Sequence, residues 1–269
     1  MRSKRLTNGI DLLDRQSVIR AIEEDVNAHG CHVFVGLYAA SYYLAARNSV
    51  YRRLLEHTLN YPDGTGVVWA LRRRGVKAER CTTTDLIHNI MEVAAVKKWS
   101  VFLYGGAPGV AKKVAEWISA NHSGINIVGV IDGYLDVRPN EILEAAPDLV
   151  LVARGAPLQE SWAVDTAVAC CESNRVGAFM ACGGLFDFLS GYSRRAPRWM
   201  QHAGLEWLFR SLLEPRRLLG RYLRGNTWFT LRYLIGPYSI AIRKKETLSR
   251  KEVRRDVGVK ERKGKKRVK

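Results

Sequence analysis

Residues 99–121 read WSVFLYGGAPGVAKKVAEWISAN. The apolar run Trp99–Tyr104 predicts a strand, the glycine-rich turn Gly105-Gly106-Ala107-Pro108-Gly109 ends it, and a helical pattern follows to Asn121. This strand–turn–helix unit is typical of open α/β folds, in which the start of such a helix can hold a phosphate group. Gly105, Gly106 and Gly109 are therefore candidate nucleotide-binding residues, and the alternative is a tight turn that binds no ligand.

The same alternation of strand and helix continues to Cys182, where the strand signal ends. Four further apolar runs rich in Val, Ile and Phe predict strands: His32–Tyr38, Ile125–Ile131, Asp148–Ala153 and Val176–Cys182. Helical patterns such as Gln159–Glu172 lie between them. Strands that alternate with helices predict a Rossmann-like parallel sheet flanked by helices.

The excess positive charge is confined to the C-terminal part of the chain. Residues 1–193 contain 20 Lys+Arg and 20 Asp+Glu, whereas residues 194–269 contain 23 and 6, so 23 − 6 accounts for the whole net charge of +17. We expect an α/β domain over residues 1–193, an amphipathic helical and basic appendage over 194–242, and a basic, disordered tail over 243–269.

A neutral body with a basic appendage predicts contact with a polyanion, either an anionic membrane surface or a nucleic acid. Aromatic residues interleaved with arginines, as at Trp228, Arg232 and Tyr233, suit both partners. No apolar run reaches the roughly 18 to 20 residues of a membrane span, and the N-terminal residues lack the apolar segment of a signal peptide. We therefore expect a cytoplasmic protein with peripheral membrane contact, and the lack of an RRM, KH or zinc-finger signature disfavours nucleic acid.

The cysteines predict no metal site and no disulfide framework. The five cysteines form no CxxC pair, which is typical of reduced, mostly buried thiols. His29, Cys31 and His32 lie close enough in sequence to suggest a metal cluster, but no second ligand pair accompanies them.

Three other loops follow predicted strands or precede predicted helices. Asp63, in the loop Tyr61-Pro62-Asp63-Gly64-Thr65-Gly66, has the local pattern of a helix cap or Asx turn, and a general base is the less favoured alternative. Gln159 either hydrogen-bonds a sugar or base or only belongs to the first turn of a helix, and Gly183-Gly184 form another strand-to-loop transition. Because parallel strands end at one edge of a sheet, these loops predict a cleft.

A longer series of motifs, in one order and spacing, resembles the WecG/TagA/CpsF glycosyltransferases over roughly residues 8–224. These motifs are Asp63-Gly64-Thr65-Gly66-Val67-Val68, Glu79-Arg80, Thr84-Asp85-Leu86, Gly105-Gly106-Ala107-Pro108-Gly109-Val110-Ala111, Asp132-Gly133-Tyr134, Gly155-Ala156-Pro157-Leu158-Gln159-Glu160, Phe186-Asp187-Phe188, Arg195-Ala196-Pro197, Glu206-Trp207-Leu208-Phe209-Arg210, Glu214-Pro215 and Arg217-Leu218.

The resemblance implies a glycosyltransferase of bacterial cell-surface or exopolysaccharide biosynthesis. It implies transfer of an N-acetylmannosamine-type sugar or glucose from a UDP-sugar to a polyprenyl-diphosphate-linked saccharide, at the inner face of the plasma membrane. The implied reaction is a single inverting displacement. Because the chain contains no Asp-x-Asp pair, we expect no metal and no other cofactor, with helix N-termini and arginines meeting the charge of the leaving diphosphate.

The resemblance also assigns roles to residues and reverses the local preference at Asp63, which becomes the catalytic base. It places Arg80 and Gln159 in the active-site pocket; with the glycines of the strand-to-loop turns, the candidate donor- or nucleotide-binding residues are Arg80, Gly105, Gly106, Gly109, Gln159, Gly183 and Gly184. The implied contacts to the acceptor, the diphosphate or the membrane are Arg195, Arg210, Arg217 and Arg221, in or near an appendage that closes over the site.

Three positions depart from the family pattern and leave the sugar open. Leu37 and Ala39 stand where the family often has a Thr-x-Asn pair, and Thr83 stands where glycine is usual. Two other interpretations therefore stay open: a non-catalytic relative that scaffolds polysaccharide assembly, and a basic nucleic-acid-binding protein. The acceptor saccharide, the linkage and homo-oligomer formation are also left open.

Overall fold

The computed structural model describes residues 6–243, apart from the side chains of residues 6–8, 202 and 217. The tail predicted beyond Arg243 lies outside the described residues. The strands are β1 (Leu6–Ile10), β2 (Val33–Leu37), β3 (Leu59–Pro62), β4 (Ser100–Gly105), β5 (Asn126–Ile131), β6 (Leu149–Ala153), β7 (Ala178–Ala181) and β8 (Ile240–Ile242).

Helices connect the strands and make up most of the C-terminal part of the described chain. They are α1 (Arg15–Ala28), α2 (Ala39–Arg47), α3 (Ser49–Glu56), α4 (Thr65–Arg72), α5 (Thr83–Lys97), α6 (Val110–Asn121), α7 (Pro139–Ala145), α8 (Leu158–Cys170), α9 (Leu185–Leu189), α10 (Arg198–His202), α11 (Glu206–Leu213) and α12 (Gly220–Phe229). Two π-helical segments, Pro215–Leu219 and Thr230–Ile235, flank α12.

Six strands form one parallel sheet in the order β3-β2-β7-β6-β4-β5. The predicted α/β class and parallel sheet are confirmed, and each of the five predicted strands is present with ends within two residues of those expected. Side chains alternate between the two faces: Val150 and Val152 of β6 pack in one apolar core, and Leu149 and Leu151 pack in the other. Both faces are therefore covered, which is why the central strands have continuous apolar sequences.

Three strands, β1, β3 and β8, are missed by the sequence prediction, and the expectation that no strand follows Cys182 is wrong. The short strand β8 pairs in parallel with β1 in a separate two-stranded sheet. Arg243 follows β8 directly, and its guanidinium donates to the Asp11 carboxylate (Nε to Oδ1, 2.9 Å) and to the Glu56 carbonyl (3.0 Å). These bonds tie the end of the described chain to its beginning.

The appendage, residues 194–242, packs on the α/β body through α12. Tyr222, Gly225 and Phe229 lie on one buried face of α12 and pack on α2. A β-carbon on Gly225 would lie 3.0 Å from the Ala40 Cα, so the absence of a side chain allows the two helices to approach closely. The Phe229 ring meets the Tyr42 ring edge-on at 5.4 Å between centroids. Because α2 begins where β2 ends, this contact holds the appendage at the carboxyl edge of the sheet.

Within residues 6–243, no helix combines the length and the apolar character needed to cross a membrane.

Candidate active site

A cleft of about 690 Å³ lies at the carboxyl edge of the main sheet. Loops after all six strands of that sheet contribute to its walls, and the appendage covers it on one side. Its walls include Tyr38, Asp63, Gly106, Arg154, Gln159, Glu160, Gly183, Gly184, Arg210 and Arg221. The convergence of loops expected from the sequence is therefore present.

A smaller pocket of about 140 Å³ adjoins the cleft and has Asp63 in its wall as well. Arg80, Glu206 and Arg210 also line this pocket. Asp63 thus stands where the cleft, the loop before α5 and the appendage meet.

The backbone of the β2 and β3 ends fixes the position of Asp63. The Asp63 N–H donates to the Leu37 carbonyl at 3.0 Å, as does the Gly64 N–H at 3.3 Å. A β-carbon on Gly36 would lie 2.9 Å from the Asp63 Cβ, so only glycine at the neighbouring position of β2 leaves room for this side chain.

Asp63 does not cap the helix that follows it. The N-cap of α4 is Gly64, and no side chain hydrogen-bonds to this helix start, so the local interpretation of Asp63 as a cap of α4 is wrong. The backbone N–H of Thr83, the first residue of α5, acts on the carboxylate instead and favours its charged form.

Burial and one neighbouring carboxylate make Asp63 a weak acid. Burial raises the pKa of Asp63 to about 7, and the negative charge of Glu206 adds to this effect. Arg80, the Thr83 N–H and Arg210 act in the opposite direction and only partly compensate. A carboxylate with a pKa close to neutral pH can accept a proton in a transition state and remain largely ionised just above that pH.

Arg80 lies in the smaller pocket but is engaged by the appendage. Its Nη1 donates to the Gln201 carbonyl at 2.6 Å, and its Nη2 donates to Glu206 Oε2 at 3.1 Å. Arg195 forms an ion pair with Asp85 at 2.6 Å and a longer one with Glu206 at 3.5 Å. Arg195 lines neither the cleft nor the smaller pocket.

Gln159 joins two of the loops that form the cleft. Its side-chain oxygen accepts hydrogen bonds from the Gly155 N–H at 3.2 Å and the Gly183 N–H at 3.0 Å. Its amide nitrogen donates to Glu160 Oε1 at 3.0 Å. Gln159 therefore belongs to the first turn of α8, as one sequence alternative held, and its amide holds the ends of β6 and β7 in register.

The predicted glycines divide into two groups. Gly106, Gly183 and Gly184 line the cleft. Gly105 does not line it and packs against the Ala153 backbone. Gly109 opens onto a separate shallow cavity, where its N–H donates to the Asp132 carboxylate at 3.1 Å. A protein carboxylate thus already occupies the start of α6.

Three guanidinium groups border the cleft. Arg210 lies 4.8 Å over the Phe188 ring, and its close approach to the loop is possible because Gly184 has no side chain. Arg221 lies 5.2 Å from the Tyr222 ring centre. Arg154, which the sequence did not single out, donates to the Gly133 carbonyl at 2.9 Å. The Arg217 side chain lies outside the described part of the chain.

The residues that depart from the family pattern have structural roles. The Leu37 side chain is buried in the core, and Ala39 begins α2 beneath the appendage. The Thr83 hydroxyl hydrogen-bonds with the Tyr61 hydroxyl at 2.9 Å. None of these three side chains carries a carboxylate, so none of them is a second acidic group beside Asp63.

Tyr38 and Glu160 are two cleft residues that sequence reasoning did not identify. Burial raises the pKa of Tyr38 to about 12, so its hydroxyl stays neutral beside Asp63. Burial also raises the pKa of Glu160, whose Oε2 is buried without a hydrogen-bond partner in the described part of the chain. Their signal in the sequence is position alone, since Tyr38 is the last residue of a predicted strand and Glu160 is the last residue of the motif that follows another.

Across residues 6–243, no group of three or more His, Cys, Asp and Glu side chains is placed to hold a metal ion. His32 pairs with Asp25 through its Nδ1, and the Cys31 thiol donates to the Val176 carbonyl at 3.2 Å. All five cysteines are buried and form no disulfide.

The chain is similar in sequence to known proteins. The sequence profile described as "Glycosyl transferase WecG/TagA/CpsF family" matches residues 4–240. A protein of Bacillus subtilis (strain 168), named N-acetylglucosaminyldiphosphoundecaprenol N-acetyl-beta-D-mannosaminyltransferase, is 37% identical to this chain over 160 residues. That match covers 58% of this chain and 61% of the length of the relative.

Proposed function

We propose that this chain, which belongs to the WecG/TagA/CpsF glycosyltransferase family, transfers an N-acetylmannosamine-type sugar from a UDP-sugar to a polyprenyl-diphosphate-linked saccharide. The name of the Bacillus subtilis relative, which specifies an N-acetylmannosaminyl group and a lipid-linked N-acetylglucosaminyl diphosphate, supports this choice over glucose. The observation that carries the proposal is Asp63, a half-buried carboxylate with a pKa of about 7 at the meeting point of cleft and appendage.

The proposed reaction is one displacement at the anomeric carbon. Asp63 accepts the proton of the acceptor hydroxyl while that oxygen forms its bond to the anomeric carbon. The bond between this carbon and the diphosphate oxygen breaks, and UDP leaves with the bonding electron pair. Attack from the face opposite the leaving group inverts the configuration, and the protein supplies no nucleophile of its own.

Fixed positive charge around the cleft is proposed to stabilise the departing diphosphate without a metal ion. Arg210 and Arg221 come from the appendage, and Arg154 comes from the loop after β6. Preorganised cations in a partly buried cleft stabilise a developing negative charge more strongly than the same groups do in water. Donor binding therefore requires the appendage in place.

The appendage is also proposed to contact an anionic membrane surface, which would place the protein peripherally at the inner face of the plasma membrane. Leu212 and Ile235 are 69% and 68% exposed. Arg216 and Arg224 are exposed on the same appendage. Exposed apolar side chains with neighbouring cations suit the boundary between headgroups and acyl chains, where a lipid-linked acceptor would present its saccharide.

A panel of donors tests the proposed function. UDP-N-acetylmannosamine, UDP-N-acetylglucosamine and UDP-glucose are each mixed with a short-chain polyprenyl-diphosphate N-acetylglucosamine, with and without EDTA. We expect UDP release and a disaccharide product with the first donor, unaffected by EDTA, and an inverted anomeric centre by NMR. Absence of transfer from every donor would favour the scaffold interpretation, and salt-sensitive RNA binding without transfer would favour the nucleic-acid interpretation.

A further inference from the structure

Arg80 is the natural ion-pair partner of Asp63 and is held away from it. Both residues line the same pocket of about 140 Å³. The Arg80 guanidinium nevertheless donates its hydrogen bonds to the Gln201 carbonyl at 2.6 Å and to the Glu206 carboxylate at 3.1 Å. Across residues 6–243, no lysine or arginine forms an ion pair with Asp63.

We propose that Glu206 is a positioning residue for Asp63: by pairing with Arg80, it keeps this guanidinium off the Asp63 carboxylate while the appendage is docked. The inference rests on the proposed function, in which Asp63 is the base. Glu206 begins α11 and Gln201 lies in α10, so both partners of Arg80 come from the appendage. Docking of the appendage then determines whether the base is available.

The position of Glu206 is itself fixed. Its second carboxylate oxygen faces Arg195 at 3.5 Å, and Arg195 is anchored on Asp85 at 2.6 Å. The side chain of Glu206 is largely shielded from solvent, which strengthens its charge interactions relative to those of a surface pair. Glu206 therefore forms ion pairs with two arginines, Arg80 and Arg195.

The tyrosine and cysteine side chains near Asp63 do not carry charge near neutral pH. Burial raises the pKa values of Tyr38 and Cys81 to about 12 and raises that of Tyr61 well above its usual range. The charged side chains that act most strongly on Asp63 are Glu206, Arg80 and Arg210. The balance of charge at Asp63 is therefore set by Glu206 against two arginines.

A carboxyl titration without substrate tests the inference. In full-length protein labelled with carbon-13 at aspartate carboxyls, the Asp63 signal is assigned by its loss in Asp63→Asn. We expect Glu206→Gln to lower the pKa of Asp63 by about one unit or more, because the change removes a neighbouring negative charge and also frees Arg80 to reach the carboxylate. Glu116→Gln, the same change at an exposed residue of α6, should leave the titration unchanged. An unchanged Asp63 titration in Glu206→Gln overturns the inference.

The double variant Arg80→Gln/Glu206→Gln tests whether Glu206 acts through Arg80, and it removes the unpaired charge that could unfold the single variant. If Glu206 acts through Arg80, adding Glu206→Gln to Arg80→Gln should lower the pKa of Asp63 by much less than the same change does in wild type, because no guanidinium is left to release. An equal effect of Glu206→Gln in the two backgrounds would show that Glu206 acts only through its own charge and not by holding Arg80. Because these titrations use no substrate, their failure is distinct from failure of the proposed function, which shows as absent transfer by wild-type protein.

Discussion

The backbone N–H of Thr83, at the start of α5, favours the charged form of the Asp63 carboxylate. A negative charge at a helix N-terminus gains about 0.3–1 kcal/mol. The rise in the pKa of Asp63 from 3.8 to about 7 corresponds to about 4 kcal/mol against the charged form, since one unit is about 1.4 kcal/mol. Desolvation therefore outweighs the helix contact, and Asp63 keeps the basicity that proton abstraction needs.

Replacing Asp63 with asparagine should lower the turnover number by roughly two to four orders of magnitude, the usual effect of removing a positioned base. Asparagine preserves the shape of the side chain and cannot take up the proton. UDP affinity, measured by calorimetry, should stay within about threefold because the diphosphate cations are untouched. A variant with near wild-type turnover at saturating substrate would show that Asp63 is not the base.

Asp63→Asn should also change how stability depends on pH. The folded-state pKa of about 7 lies above the unfolded value of 3.8, so this carboxyl lowers folding stability progressively as pH rises from about 4 to 7. Below pH 4 both states bind the proton and the penalty vanishes. Urea unfolding at pH 8 and at pH 4 should show the variant gaining stability relative to wild type at pH 8. An equal difference at the two pH values would contradict the raised pKa.

Gln159→Ala should destabilise the protein by roughly 2–4 kcal/mol, because it leaves the N–H groups of Gly155 and Gly183 without their acceptor. It also removes the donor to Glu160 in a buried setting. Urea denaturation measures the loss, with Gln16→Ala, at an exposed position of α1, as the matched control. A loss of less than about 0.5 kcal/mol would mean that water replaces the Gln159 oxygen.

The central sheet could be predicted from the sequence because burial on both faces leaves continuous apolar runs. The edge strand β3 could not, because its sequence Leu59-Asn60-Tyr61-Pro62 contains a polar residue and a proline. Asn60 is buried only because its amide donates to the Gly9 and Leu55 carbonyls. Such long-range satisfaction of a polar group has no local signature, and the three residues of β8 are too few for periodicity.

The residues of the candidate site could be predicted from the sequence, but the contacts between them could not. The position of Asp63 in the sequence favoured a cap of the next helix, and the helix that it contacts begins at Thr83, in another part of the chain. Likewise, Arg80 was expected to meet the donor, and the structure shows it bound to Gln201 and Glu206. These partners are set by tertiary packing, which no single motif encodes.

Gly225→Leu should separate the appendage from the body. The new side chain would collide with Ala40, where even a β-carbon lies at 3.0 Å, and overpacking of this kind costs about 1–3 kcal/mol. We expect transfer to a water-soluble acceptor analogue to fall at least tenfold, and amide exchange in α12 to increase. Thr227→Leu, at an exposed position of the same helix, is the matched control. Full activity of Gly225→Leu would show that docking on α2 is not needed for catalysis.

Removal of residues 244–269 should weaken membrane binding and spare catalysis. This segment carries 13 basic and 4 acidic residues, and its removal leaves the Arg243–Asp11 contact in place. Each basic residue near an anionic leaflet contributes about 1 kcal/mol, attenuated by salt. Sedimentation with anionic vesicles should therefore show at least a tenfold weaker association at low salt, whereas transfer to the soluble analogue should remain within about twofold.

A variant in which a Gly/Ser segment of equal length replaces residues 244–269 serves as the control for chain length. Unchanged vesicle binding by the truncated protein would exclude the tail as an electrostatic anchor and leave the exposed apolar side chains of the appendage, such as Leu212 and Ile235, as the membrane contact.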